Sequence, residues 1–358
     1  MQLRLDKRPE PSRWLRVLTP VGAVVLTMVL GALIFTLLGY DGIGAVREIF
    51  LSPIVNSYKW QDLAVKAAPL IIIAVGLSIA YRANVWNIGA EGQYIVGAVA
   101  GTGVAILTND MTGWWIMPLI MLAGVAGGAA YAAVPALLRV KLGVNEILTT
   151  LMLSYASVYL LNYLLAGPYK SPTSMGQPQT VLLSADQSLP YLIPGTIVQL
   201  NVPIAIAVAL IAWVVFSRFV FGFQVRVVGS APHAARHGGF SANGTVWLVM
   251  LISGGLAGLA GILEVMGPVG RLILQFPANY GFTAIIVAFL GRLHPFGAIL
   301  AGIMIAITFV GGEMAQINIK LPFAAVGIFQ AMMLFLILAS DILVRYRIRL
   351  VRSGEVTT

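Results

Sequence analysis

WWIMPLIMLAGVAGGAAYAAVPALL, residues 114–138, runs without a single charged side chain. It is longer than the roughly 20 apolar residues that cross the hydrocarbon of a bilayer as one helix. VLTPVGAVVLTMVLGALIFTLL, residues 17–38, is a second run of the same kind. The pattern repeats along the chain, with further apolar runs at about 62–80, 86–107, 146–166, 196–217, 244–266, 279–293, 295–313 and 322–344. A soluble domain carries about 25% charged residues, whereas these 358 residues carry 10%, with 59% hydrophobic residues and a mean hydropathy of +0.91. The fold class that follows is an all-α integral membrane protein, a polytopic bundle of about ten transmembrane helices.

Within that bundle the run at 279–293 departs from the rule. Its apolar core, 282–290, is too short to cross straight and is followed by Gly291, Arg292 and Pro295. A short segment bounded by Gly and Pro predicts a broken or re-entrant helix. Gly97/Gly101, Gly124/Gly128 and Gly254/Gly258 supply small residues four apart, a spacing that lets helix backbones approach closely in lipid.

Orientation follows from the basic residues. With the N-terminus placed in the cytosol and each span reversing the side, roughly 16 of the 22 Lys and Arg residues fall inside. The formal net charge of +9 is therefore read as topology rather than as a nucleic-acid surface. The basic N-terminal stretch resembles a signal peptide, but its apolar run exceeds the usual length of about 7 to 15 residues and is read as an uncleaved first helix. The expected organisation is a cytosolic N-terminus over 1–16, a transmembrane domain over 17–344 and a cytosolic tail over 345–358.

Several chemistries are excluded or disfavoured. There is no cysteine, and His233, His237 and His294 show no metal-binding spacing and are placed in loops beside helix ends. No metal site and no catalytic residue is expected, which disfavours an intramembrane enzyme. No GxxxxGK[ST] phosphate loop occurs, so any ATP-driven work belongs to another polypeptide. A proton-driven transporter would keep carboxylates well inside the bilayer; Glu91, Glu146, Glu264 and Asp62 are all placed near span ends. The ion-coupled secondary transporter therefore stands as the alternative. A lumen furnished by Asn87, Gln93, Tyr94, Tyr155, Asn162, Gln275 and Asn279 suits a neutral polar solute, as sugars and nucleosides are.

The loop between the sixth and seventh spans, 218–243, is the most informative inside segment. Ser230 is the expected N-cap of a short helix, Pro232 suits its first turn, and Gly238 and Gly239 close it. Two turns are not stable alone in water. The segment is either a connector packed on its own membrane domain or a coupling helix seated on a cytosolic partner.

Three stretches carry a resemblance: YRANVWNIGAEGQYIVG (81–97), VRVVGSAPHAARHGG (225–239) and NYGFTAIIVAFLGRLHPFG (279–297). In this order they resemble the signature segments of ABC-importer permeases for simple sugars and nucleosides. The resemblance implies a membrane subunit of an importer in a bacterial plasma membrane. Its implied partners are an ABC ATPase that uses the ATP, a second homologous permease forming a heterodimer, and a solute-binding lipoprotein of the basic membrane protein type, with no cofactor on this chain. It implies a coupling loop carrying Arg226, Gly229, Ser230, His233, Ala234, Ala235, Arg236, His237 and Gly238. The expected solute pathway draws on Asn87, Glu91, Gln93, Tyr94, Asn279, Tyr280 and Phe282.

Overall fold

The computed structural model describes residues 2–7, 13–174, 176–276 and 279–351. The chain divides into two compact units, Tyr58–Ala306 and a smaller one made of Met1–Ser57 with Ile307–Thr358.

The smaller unit contains α1 (Arg13–Leu37), α2 (Gly42–Phe50), the short α3 (Ser52–Val55) and the C-terminal α14 (Phe323–Arg345). α1 packs along α14, with Phe35 stacked on Phe329 at 6.3 Å between ring centroids. Asp41 caps α2 through the Gly44 N–H at 2.9 Å. Asn318 donates to the Glu48 carboxylate at 2.7 Å. A two-stranded antiparallel ribbon joins the chain ends, Gln2–Lys7 (β1) against Tyr346–Val351 (β2).

In the larger unit the long helices are α4 (Lys59–Arg82), α5 (Ala90–Leu107), α6 (Ile116–Leu142), α7 (Glu146–Ala166), α8 (Asn201–Arg218) and α11 (Ala242–Glu264). Between α8 and α11 come α9 (Val220–Ser230) and α10 (Pro232–His237). After α11 come α12 (Tyr280–Leu290) and α13 (Pro295–Ile319), whose later residues belong to the smaller unit. Among the described residues, eight helices are long and apolar enough to cross a membrane, and α12 and α14 add shorter apolar segments. Each of the ten expected runs therefore meets a helix.

The centre of this unit is α5, α6 and α11, packed backbone on backbone. A Cβ on Gly97, Gly128 or Gly258 would strike the main chain of a neighbouring helix. Lipid offers no hydrophobic drive between helices, so close approach of small residues supplies the contact. α4 fills the remaining side and is buried over nearly its whole length.

α11 does not run straight into a loop. Pro268 has no N–H to donate, and the helix widens into a π turn, Val265–Val269, with Gly267 off helical geometry at φ −106° and ψ −105°. The chain then descends to α12, which is about 16 Å long at 1.5 Å per residue and covers about half of a 30 Å hydrocarbon layer. The broken eighth segment expected from the sequence is this unit. Left-handed residues bound it at both ends, Asn279 (φ 58°) before it, and Arg292 (φ 55°) and Leu293 (φ 54°) after it. His294 follows, and its Nδ1 accepts the Phe296 N–H at 3.3 Å. Partial burial, and then the Arg82 charge, hold that imidazole below the usual histidine value, which keeps Nδ1 free to accept.

A lid closes the end of the unit where α5 finishes. The connection 167–200 has little regular structure, as its prolines dictate, yet it is pinned at several points. Gln187 donates to the Ala105 carbonyl at 2.7 Å and so satisfies the last turn of α5; Asp186 accepts from Gly113 N–H at 3.1 Å. Leu183 and Leu189 donate backbone N–H groups to Gly270 and Met266, tying the lid to the π turn.

Candidate functional site: the 83–97 connector and the half-helix α12

α4 ends in a turn at Ala83 and Asn84, the latter left-handed at φ 56°, and residues 85–88 are irregular before α5 begins, with the Asn87 N–H on the Val85 carbonyl at 3.2 Å. Within that stretch Val85 and Asn87 are fully enclosed, while Trp86 is exposed. Helix α5 therefore starts inside the bundle.

Asn87 is the knot of this stretch. Its Nδ2 donates to Gln93 Oε1 at 2.8 Å and to Ser253 Oγ at 3.0 Å. Its Oδ1 accepts from Gln93 Nε2 at 3.1 Å and from the Gly89 N–H at 3.1 Å. The two amides form a reciprocal pair that ties the connector to α5 and, through Ser253, to α11. Gly89 and Gly92 lie flat against α7, where a Cβ would come within 2.8 Å of Thr150 and 2.9 Å of Ser154. Thr150 Oγ1 and Ser154 Oγ accept the Ile88 and Gly92 N–H groups at 3.2 and 3.3 Å. Asn87→Ala is expected to leave a buried amide and hydroxyl short of partners and to lower stability by about 2–4 kcal/mol, read as a fall in melting temperature in detergent.

Glu91 lies one turn further along and is 2% exposed. Its Oε2 accepts the Gly281 N–H at 2.6 Å. A helix leaves its first N–H groups unpaired, and Asn279, at the N-cap of α12, makes no side-chain bond to them. The carboxylate of α5 thus serves as the cap of α12, with the helix dipole favouring its charge. Glu91 lies in the first turn of α5, as the sequence leads one to expect, and that turn is buried. Run boundaries in the sequence do not show that this first turn meets α12.

Tyr94 is fully buried, stacked on Phe276 at 5.1 Å and edge-on to Tyr280 at 6.1 Å. Glu91 Oε1 and the Tyr94 hydroxyl have no hydrogen-bond partner among the described residues. Phe282 is partly buried and Asn279 exposed. So the structure brings Glu91, Tyr94, Tyr280 and Phe282 together around the start of α12, while Asn87 and Gln93 are buried and engaged with each other and with Ser253.

At the opposite end of α12, Phe289 stacks on Tyr81 at 5.3 Å and on Trp86 at 6.1 Å. Trp86 is fixed by its indole N–H on Asn84 Oδ1 at 3.1 Å. The Arg139–Glu146 ion pair, 2.6 Å, bolts the α6–α7 turn beside it, with Arg139 also reaching the Asn84 carbonyl at 3.4 Å.

The loop after α8 reaches the same turn. Instead of one short helix it forms two, because Gly222, Val225 and Val228 recur on one face and bury α9 against the α4 and α11 ends. Gly229 lies directly on the Arg82 carbonyl. Ser230 is not the N-cap of the next helix: it ends α9 and donates its hydroxyl to the Arg226 carbonyl at 2.9 Å, and Ala231 takes the cap position without a side-chain bond. Arg226 donates to the Phe216 carbonyl at 3.1 Å and so closes α8. Ala235 is fully buried. Gly229 and Ala235 pack on their own domain, whereas Arg226 and Ser230 are exposed and bond main-chain carbonyls within it; His233, Ala234, Arg236, His237 and Gly238 are exposed. His233 and His237 lie in α10, the short helix expected within this inter-span loop.

Sequence reasoning missed Thr150, Ser154 and Ser253. Their signal was present as small hydroxyl residues at helical spacing inside apolar runs, since these seat a neighbouring backbone in lipid.

Residues 60–338 match the family model for the permease component of the branched-chain amino acid transport system. The chain belongs to that permease family. It is similar over 97% of its length to the glucose ABC transporter permease protein TsgB13 of Haloferax volcanii, at 35% identity and 94% of that relative. The nucleoside ABC transporter permease protein NupB of Lactococcus lactis is 28% identical, over 90% of each chain. The guanosine ABC transporter permease protein NupP of Bacillus subtilis is 27% identical, over 94% of this permease and 96% of the relative. The permease is a transport subunit and not an enzyme.

Proposed function

We propose that this permease forms one side of the pathway of an ATP-driven importer for a neutral, ring-bearing solute of the nucleoside or simple-sugar class. The observation that carries the reading is the full-length similarity to permeases named for glucose, nucleosides and guanosine. The permease lies in a bacterial plasma membrane with both termini in the cytosol. The basic-residue count supports this, as does the pairing of β1 with β2, which puts both chain ends on one side. Its partners are an ATPase subunit, a solute-binding lipoprotein and a second permease. Lactococcus lactis has two such relatives of this chain, NupB and NupC, which supports a heterodimer.

ATP is used by the partner, and its stroke enters at α10. His233, Ala234, Arg236 and His237 form the docking face, and Gly229 passes displacement to the α4–α5 turn. Arg236→Glu is expected to lower uptake by about tenfold or more, as loss of an interfacial charge contact does, while melting temperature is unchanged. Bulk at Ala235, by contrast, would test only the packing of α10.

One observation favours the alternative of ion coupling, the carboxylate of Glu91 inside the bundle. Co-expression with an ATPase and a binding protein, followed by uptake of labelled nucleosides and hexoses, separates the two. Accumulation that needs ATP supports the importer; accumulation by the isolated permease under a proton or sodium gradient overturns it.

A further inference from the structure

α7 is built the wrong way round for a helix that faces lipid. The first half of its buried side is small and polar, carrying Thr150, Ser154 and Ser157 before Leu161 and Leu165, while Tyr155, Tyr159 and Tyr163 stand on the outward side, 57%, 74% and 71% exposed. The three lie one turn apart on a single stripe. Counted at 1.5 Å per residue from Glu146, where α7 begins, Tyr155 lies about 14 Å and Tyr159 about 20 Å into the span, well inside a hydrocarbon layer of about 30 Å. Tyrosine is favoured at the headgroup level, where its hydroxyl is wet; deep in lipid that hydroxyl is left without a partner. Elsewhere in this unit Leu122 of α6, Leu210 of α8 and Leu300 of α13 are exposed aliphatic side chains, and Trp213 of α8 is 37% exposed; no such row of three hydroxyl-bearing rings stands on them. In the interior of the unit Asn87 and Gln93 are buried and mutually bonded.

We infer that the Tyr155–Tyr159–Tyr163 stripe of α7 lines the aqueous pathway and is the surface along which the solute moves. This rests on the importer reading above. Phenol rings offer faces on which a sugar ring or a base can lie, and their hydroxyls both donate and accept, so the stripe fits a neutral solute carrying hydroxyl groups and disfavours none by charge. Leu148 and Met152 continue the stripe toward the start of α7, giving that end an apolar, uncharged wall.

The chain has no cysteine, so single substitutions report cleanly. Tyr155→Cys, Tyr159→Cys and Leu122→Cys would each be made in the assembled importer and treated with a charged, water-soluble methanethiosulfonate reagent. Both tyrosine positions are expected to label at least tenfold faster than Leu122→Cys, and saturating transported solute to slow them. Labelling as slow as at Leu122→Cys would overturn the inference by placing the stripe against lipid or a partner helix; fast labelling that solute does not slow would overturn the solute contact. Should a cysteine variant fail to accumulate, Tyr159→Phe keeps the ring and removes only the hydroxyl. It is expected to raise KM for uptake severalfold with the ATPase rate unchanged, and an unchanged KM would count against the stripe. Unmodified assembly that shows no ATP-dependent uptake would instead remove the importer reading itself.

Discussion

Gly258→Val is expected to abolish accumulation of folded protein in the membrane. A Cβ at Gly258 would strike the Gly124 carbonyl and lie 2.9 Å from Gly128 Cα, while Gly97 presses on Gly258 from the other side. Overpacking a core with flexible neighbours costs about 1–3 kcal/mol. Here the neighbours are the backbones of two helices, which cannot turn aside as a side chain does, so the loss lies at or above the top of that range. Gly327→Ala serves as the control, because nothing lies within 4 Å of the position. Size-exclusion profiles and melting temperatures in mild detergent read both variants. A Gly258→Val protein that melts like the parent would mean that α5, α6 and α11 do not pack as described.

The second large effect concerns Glu91. Glu91→Ala leaves the Gly281 N–H unpaired at a buried helix end and removes a charge-assisted bond, a loss of about 2–3 kcal/mol. It falls on the seating of α12, so transport is expected to drop by about tenfold or more. Glu91→Gln retains an acceptor in the same place and is expected to keep most of the uptake. The pair of variants also decides a mechanism. If Glu91 carried protons, the glutamine variant would be as inactive as the alanine one.

Much of the architecture was legible because lipid imposes it. Uncharged runs of sufficient length leave few alternatives to helical spans, and Gly291 with Pro295 marked the broken one. What the runs do not carry is depth and facing. Glu91 falls in the first turn of α5, as counting from the edge of the apolar run leads one to expect, but the run does not show that this turn is buried against α12. Its partner, Gly281, lies 190 positions along the chain, beyond any local pattern.

The loop at 218–243 shows a different limit. Pro232 took the first turn of α10 as expected, but Ser230 prefers the carbonyl of Arg226 within α9, a competition between two helices that only packing resolves. Asn87 and Gln93 were expected to meet solute. Their spacing is equally that of an amide pair closing on itself, and burial selects the pair. The α7 tyrosines were visible as residues four apart, but their meaning required knowing which side of α7 was already occupied.

The half-helix α12 has a bearing on how the protein is made. Eleven residues lack the apolar length to settle across a membrane unaided, and one end must meet a carboxylate on α5 while the other meets Tyr81 and Trp86. All of these partners are synthesised long before residue 280 leaves the ribosome. Insertion of this segment is therefore a tertiary event, templated by helices already standing in the bilayer. The glycine-packed α5, α6 and α11 act during biogenesis as a mould for the part of the chain that the bilayer alone would reject.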